Sequence, residues 1–509
     1  MRRDSTLTLD DLQSKLGVVK PRLRLLCSRQ FGLRLLVEQA FAELGYKDVL
    51  AAIDEQTRRS FSVERLVFGM VLQQVVSPGS KLRAAERLAD VVFYPEGESM
   101  DVHHYYRALD EIAERGDEIE AGLREALKAQ GLTFKIAGID LTSSYFESDY
   151  DDVEWREIAE TPDPARKALP VVNDPPLRMR GYSRDKRPSK PQIVVEHMVS
   201  EGYVIHHELH AGNTADQTVL ADNMEKLSAL GLTDDVIWTA DTGMNTKKAR
   251  QALAFEDVDF VLGEGKRKTK VAQEVLTAGG RYRQSPDNPS LAYRSHRRDD
   301  RLFVVRLNRS ERKRDLQKTL RHVNKVEAQL AKSDDAASSS GIYLLGSKTL
   351  KRYVKRRKKT PHRLELDKKS LAKIRSQAGK SVISTSLLSL EPEHVDELYR
   401  LQFGVEDSFR TAKSDLELRP IRHRRADRIR AHVLVQVMAL NVVRHLQHKT
   451  GMRLPKLRDV MASVTVQAVE FGGTTYWQSV ELTKEQRGVF ASLGFDLPLP
   501  RFTAEVVSD

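Results

Sequence analysis

An α/β sheet with helices on both faces is the fold class that the sequence predicts, and three observations predict it. First, the β-branched and aromatic run "TFKIAGIDLTSSYFES" (133–148) is followed by "PQIVVEHMVSEGYVIHHELH" (191–210), which divides into two strands at a Glu-Gly turn. Second, helix and strand patterns then alternate. A helix spans Asp216 to Leu230, "DVIWTADTGM" is a short strand ending at Asp241, "NTKKARQALAFE" is a helix, and "VDFVLGEG" is a buried strand. Three strands, helix, strand, helix, strand is the order of an RNase H-like core. Third, a long irregular stretch precedes the helix that carries Glu406, so the core is interrupted by an insertion.

Taken in order, residues 1–130 read as a helical N-terminal domain. "FGLRLLVEQAFAELG" and "SVERLVFGMVLQQVV" space their apolar residues by three and four, and "SPGSKLRAAERLADVV" opens a new helix after a Pro-Gly break, with Ser77 or Ser80 as cap. Residues 131–265 hold the first part of the core and 266–395 the insertion. Within the insertion, "RLFVVRL" and "GIYLL" read as strands and a charged helix runs from about Glu311 to Ala331. Residues 396–450 return to the core, and 451–509 offer a hairpin around Gly472 and Gly473 with a short closing helix, a region suited to dimerisation or DNA contact.

The 509 residues exceed what one hydrophobic core usually supports, and no apolar run approaches the roughly 20 residues of a membrane span. The charged N-terminus lacks a signal-peptide pattern, so a cytoplasmic, nucleoid-associated protein is expected. Cys27 is the single cysteine, which excludes an internal disulfide and a cysteine-based zinc site. From Lys351 to Arg430 there are 22 Lys and Arg against 11 Asp and Glu, an excess that equals the net charge of +11 for the whole chain. Such concentration is the footprint of phosphate binding. "LGEGKRKTK" does not fit a phosphate-binding loop, so no nucleotide cofactor is expected.

Asp140 and Asp241 stand at strand ends, and groups at the carboxyl ends of neighbouring strands converge on a crevice in open α/β sheets. Glu406, on a helix, can complete such a site. Three carboxylates together repel one another unless a cation intervenes, and oxygen ligands without thiolate favour Mg2+ or Mn2+. Two such ions suit phosphodiester chemistry. Tyr399, Gln402, Glu406, Arg410 and Lys413 fall at helical offsets that line one face, which leads into six arginines between Arg419 and Arg430. Taken singly, a strand-end aspartate is more often a turn cap and a helix glutamate more often solvated.

"GIDLTSSYFES", "GYSRDKRPSKPQ", "AGNTADQ", "TADTGM" and "YRLQFGVEDSFRTAKSDLELRPI", in that order, resemble the DDE transposases of bacterial insertion sequences. The resemblance is to the insertion-sequence four superfamily, sixteen-thirty-four branch. It implies an RNase H-like catalytic core, a largely β insertion before the last acid, and Asp140, Asp241 and Glu406 as a triad binding two Mg2+ or Mn2+ ions. The family's tyrosine, arginine, glutamate, lysine signature falls on Tyr399, Gln402, Glu406 and Lys413. Gln402 departs from it, because an amide can hydrogen-bond but cannot neutralise a phosphate.

The resemblance also implies DNA contacts by Tyr399, Gln402, Arg410 and Lys413, by Arg184, Lys186 and Arg187 in one loop, and by Arg419, Arg422 and Arg424. The partners it implies are double-stranded DNA, as terminal inverted repeats and target, and a second copy of the chain. The rival readings are a catalytically silent DNA-binding descendant and an RNase H-type nuclease without strand transfer. "HHELH" (206–210) invites a zinc reading but lacks the H-E-x-x-H order on a helix and reads as plain strand.

Overall fold

The computed structural model describes residues 24–56, 59–97, 100–161, 171–265, 269–471, 474–496 and 502–503. The chain divides into two compact units. One comprises residues 1–134, 141–214 and 405–509, the other 135–140 and 215–404.

In the first unit, helices α1 (Gly32–Glu43), α2 (Tyr46–Glu55), α3 (Val63–Val76), α4 (Lys81–Val91), α5 (Val102–Ile112) and α6 (Gly116–Ala129) form in the region that periodicity marks as helical. Of the two caps expected for α4, Ser80 is the one used, and α3 is capped in the same way. Ser62 accepts from the Arg65 N–H, and Ser80 accepts from the Arg83 N–H. Arg24–Gln30 departs from the helical reading. It is a strand, β1, antiparallel to Thr465–Phe471, which pairs in turn with Thr474–Ser479. Those two late strands make the expected hairpin, although its turn, Gly472 and Gly473, lies outside the described residues.

A 25-residue helix, Ala426–Thr450 (here α16), is buried almost without interruption from Ile429 to Leu446. It is buried on all sides although it carries His432, Gln436, Asn441, Arg444 and His445, and the early helices pack on it. The strands Gln192–Ser200 (β3) and Tyr203–Ala211 (β4) are antiparallel and turn at Glu201 and Gly202, whose φ values of 50° and 90° suit a tight hairpin. The expected Glu-Gly turn is therefore present.

The strand Ile136–Tyr145 (β2) contributes its first half to the second unit. There it is parallel to β5 (Ile237–Ala240), and β5 is parallel to β6 (Phe260–Glu264). Helices α8 (Asp216–Ala229) and α9 (Lys247–Phe255) make the crossovers. Beyond β6 the sheet continues antiparallel through β12 (Lys380–Thr385), β9 (Arg301–Asn308), β8 (Leu291–Arg298) and β7 (Arg283–Gln284). The insertion's strands thus extend the core sheet.

Its remainder packs helices and a two-stranded antiparallel sheet, Val354–Arg356 with Leu364–Leu366, around a small core of Val323, Val326, Leu344, Tyr353 and Leu364. The charged helix α11 runs from Arg309 to Lys332. The "GIYLL" segment, expected as a strand, is instead part of helix α12 (Ser339–Gly346). Ser338 caps it by accepting from the Gly341 N–H, and Leu344 buries itself against that core. Among the described residues, no helix is long and apolar enough to cross a membrane.

Candidate active site and nucleic-acid interface

Asp140, Asp241, Tyr399 and Gln402 belong to the second unit. The register pairs Ile139 with Ala240, so Asp140 and Asp241 are the next residues where the parallel pairing stops; Asp241 follows the last residue of β5, but Asp140, expected at a strand end, lies mid-strand, because β2 stays extended through Tyr145. Asp241 is exposed, and its Oδ1 accepts from the backbone N–H groups of Gly243 (2.6 Å) and Met244 (3.3 Å), which fixes the carboxylate's direction. The Asn245 amide donates to the Gly263 carbonyl at 2.9 Å and ties this turn to β6. Gly263 is small for a reason: a Cβ there would stand 2.5 Å from the Tyr399 hydroxyl and 3.0 Å from Thr242 Oγ1. Tyr399 thus lies over β6 beside the residue that follows Asp241.

Gln402 is only 4 % exposed. Its Nε2 donates to the Ile139 carbonyl at 2.7 Å, and its Oε1 accepts from Thr239 Oγ1 at 3.2 Å. One amide therefore binds the residue before Asp140 and the residue two before Asp241. This replaces the expected DNA contact by a positioning bond, and it gives the departure from arginine a physical reason: the slot takes a neutral donor and acceptor. Gln402→Leu strips both partners of their bonds. We expect a stability loss of roughly 1–3 kcal/mol in urea unfolding, and Gln402→Arg, which buries an unpaired charge, to lose at least as much.

The expected continuous face from Tyr399 to Lys413 is broken. Helix α14 (Pro392–Arg400) ends at Leu401, and α15 (Gln402–Ser414) begins anew. Side-chain periodicity alone runs through the break, which is why the sequence pattern conceals it.

Glu406 and the remaining candidates belong to the first unit. Glu406 is exposed on α15. Arg410 pairs with Asp407, which also takes Arg444 at 2.5 Å. Lys413 Nζ lies 2.9 Å from Asp185 Oδ1, the same oxygen that Arg419 reaches. Burial and the nearby Arg184 charge push the Lys413 ammonium down to about 8. Asp185, its side chain 4 % exposed, is a positioning residue that no sequence motif singles out. A lone acid inside a basic loop is the signal that could have found it.

That loop folds back on the end of β2. The Arg184 N–H donates to Ser143 Oγ at 3.1 Å, and the Arg187 guanidinium sits 5.2 Å from the Tyr145 ring centroid. Lys186 and Arg187 are exposed. Arg422 and Arg424 are also exposed and border a cleft of about 390 Å³ lined by Glu147, Tyr150 and Trp155 among others. The Ile421 N–H donates to the Tyr145 carbonyl at 3.1 Å, so this arginine segment is docked on β2 as well.

Among the described residues, the trio of potential metal ligands within 4.8 Å of one another is Asp117, Glu120 and His206. Glu120 is buried and accepts from His206 at 2.6 Å and from the His207 N–H at 2.9 Å; the two histidines hold its carboxyl down to about 2 against the opposing effect of burial. "HHELH" is a strand, as read, with a cluster that could hold a metal on its flank.

Residues 167–442, more than half of the chain, match a family model described as a transposase DDE domain. The matched span contains Asp241 and Glu406 and begins after Asp140. Among solved structures, the chain is similar to a piggyBac transposase synaptic complex with hairpin DNA, at 12% identity over 91% of this chain and 79% of that one, with a TM-score of 0.37. It is also similar to a Mos1 transposase paired-end complex with left transposon end, at 14% identity over 40% and 59% of the two chains, with a TM-score of 0.16. No curated protein matches the chain.

Proposed function

The chain belongs to the DDE transposases, and from that premise we propose that it cuts DNA at the ends of an insertion sequence and joins the freed 3′ hydroxyl to target DNA. Asp140, Asp241 and Glu406 are the residues that hold its divalent ions, two of Mg2+ or Mn2+. The donor set fits hard cations, since it consists of carboxylate oxygens alone. When bound, the ions supply Lewis acidity for the attacking and leaving oxygens of the phosphodiester.

The observation that supports this reading is the pairing of Ile139 with Ala240, because Asp140 and Asp241 are the residues that follow this last parallel pair. Gln402 fastens both strands. The backbone N–H groups of Gly243 and Met244 hold the Asp241 carboxylate in a fixed orientation before substrate arrives. Lys186, Arg187, Arg422 and Arg424 offer exposed charge to the DNA backbone. Lys413 and Arg419, tied to Asp185, set the basic loop against the end of α15. Positioning and charge stabilisation then carry the catalysis, with no covalent protein intermediate. The substrates are duplexes bearing terminal inverted repeats, the working form is a homodimer, and the site of action is the nucleoid in the cytoplasm.

The test uses the full chain, Mg2+ or Mn2+, and a duplex carrying the repeats that flank its coding region. Nicking at the repeat end and joining of a precut 3′ end to a plasmid, both abolished by EDTA, are expected. Cutting without joining would leave a nuclease, and binding alone a silent descendant. A second measurement addresses the basic residues. Arg422→Gln and Arg424→Gln should each lower the slope of log affinity against log salt by about 0.9 for every DNA phosphate that the arginine neutralises. Unchanged slopes remove those arginines from the interface.

A further inference from the structure

A cavity of about 560 Å³ opens in the first unit, between the start of α4, the segment after α15, and α16. Its wall includes Gln74, Lys81, Arg83, Arg422, His432 and Gln436, and Glu417 is its one acidic group among the described residues. Lys81 is 4 % exposed, yet its Nζ meets Nδ1 of His432 at 2.9 Å rather than a carboxylate. A lysine has only donors, so Nδ1 accepts. Burial pushes the pKa of His432 well below its usual value, so this imidazole is neutral and provides no counter-charge. Burial alone holds the Lys81 ammonium down to about 7.

A second feature of the cavity is independent of this charge. Gln436 is 2 % exposed, lines the space, and has no hydrogen-bond partner for either amide atom. Gln74, 3 % exposed, donates its Nε2 to the Gly79 carbonyl at 3.1 Å but leaves Oε1 without a partner. Buried polar groups are normally satisfied, and two amides in the wall of one cavity with enclosed, unpartnered atoms point to a ligand that satisfies them. The first turn of α4, an eleven-residue helix, lines the same space and adds the positive end of its dipole.

We propose that this cavity is a phosphate-binding pocket, in which Lys81, Arg422 and the first turn of α4 hold the phosphoryl oxygens while the Gln74 and Gln436 amides bond the rest of the ligand. The shared chemistry is a phosphate group. Its source is a backbone phosphate of DNA or a free phosphate ion. The proposal is independent of the carboxylate triad, because it requires neither metal nor cleavage.

The experiment is calorimetric titration of the full chain with inorganic phosphate in metal-free buffer, against chloride at matched ionic strength. Lys81→Met should weaken phosphate binding about tenfold or more, the scale of a lost charge-assisted bond. Gln436→Leu removes an amide that has no internal partner, so it should fold normally and weaken binding about fivefold. Its folding keeps the proposal testable if Lys81→Met does not fold. Competition with a short duplex separates the sources: a backbone origin predicts displacement by phosphate and weaker duplex binding in both variants, whereas a free ion leaves duplex binding unchanged. No binding beyond chloride, or equal binding by wild type and both variants, overturns the proposal.

Discussion

Asp241→Asn lowers metal-dependent cleavage by on the order of 10³-fold, while affinity for the repeat duplex stays within about twofold. The asparagine keeps the size of the side chain and an oxygen that can accept from the Gly243 and Met244 N–H groups, so the turn is retained. What it removes is negative charge on a group with no basic side chain among its described hydrogen bonds. Asp140→Asn at the neighbouring register position and Glu406→Gln on α15 should give losses of the same order. Glu406 is exposed, so its substitution should change stability by no more than about 0.5 kcal/mol. Combining any two should cost little beyond either single change, because residues that act as one unit are not additive. Cleavage that persists in all three variants, or that survives EDTA, would remove the triad from the chemistry. A variant that loses duplex binding and cleavage together would instead assign its residue to the interface.

The position of Asp241 after a strand was legible, whereas Asp140, expected at a strand end, is the fifth residue of the ten in β2, because the run after it stays extended. An apolar run followed by Asp identifies the tip of β5, and the alternation of strands with helices makes neighbouring strands parallel. The pairing of β2 with β5, across the intervening β3 and β4, is not given by that alternation. The role of Gln402 was not legible, since its partners, the Ile139 carbonyl and Thr239 hydroxyl, lie 263 and 163 residues away in sequence. Local periodicity also carried Tyr399 and Lys413 onto one helix, because a break at Leu401 changes no side-chain pattern. The "GIYLL" segment shows the reverse failure. Five residues of apolar character cannot separate strand from helix, and a serine cap upstream decided it. Likewise, β1 forms only because Thr465–Phe471, far along the chain, supplies its partner. Nothing in the local pattern of Arg24–Gln30 favours a strand.

Asp152→Ala should be the most destabilising single change in the first unit, by about 3–5 kcal/mol in urea unfolding. Asp152 opens helix α7 (Asp152–Glu160) and is fully buried. It accepts from the Leu177 and Arg178 N–H groups at 2.8 and 2.7 Å, from Arg178 Nε at 2.6 Å and from Asn173 Nδ2 at 3.0 Å. Arg178 is itself 2 % exposed, so removing the carboxylate leaves a guanidinium buried without its counter-charge. The damage extends to the basic surface. Asn173 also donates to the Arg424 carbonyl at 3.0 Å and accepts from the Ala426 N–H at 2.8 Å, which sets the start of α16 and the arginines just before it. Duplex affinity should therefore fall along with stability. Arg178→Met in the Asp152→Ala background should restore part of the loss, because the unpaired charge is gone while the Leu177 and Arg178 N–H groups still lack an acceptor. If Asp152→Ala unfolds within about 1 kcal/mol of wild type, or if Arg178→Met deepens the loss, the ion pair is not what holds this segment.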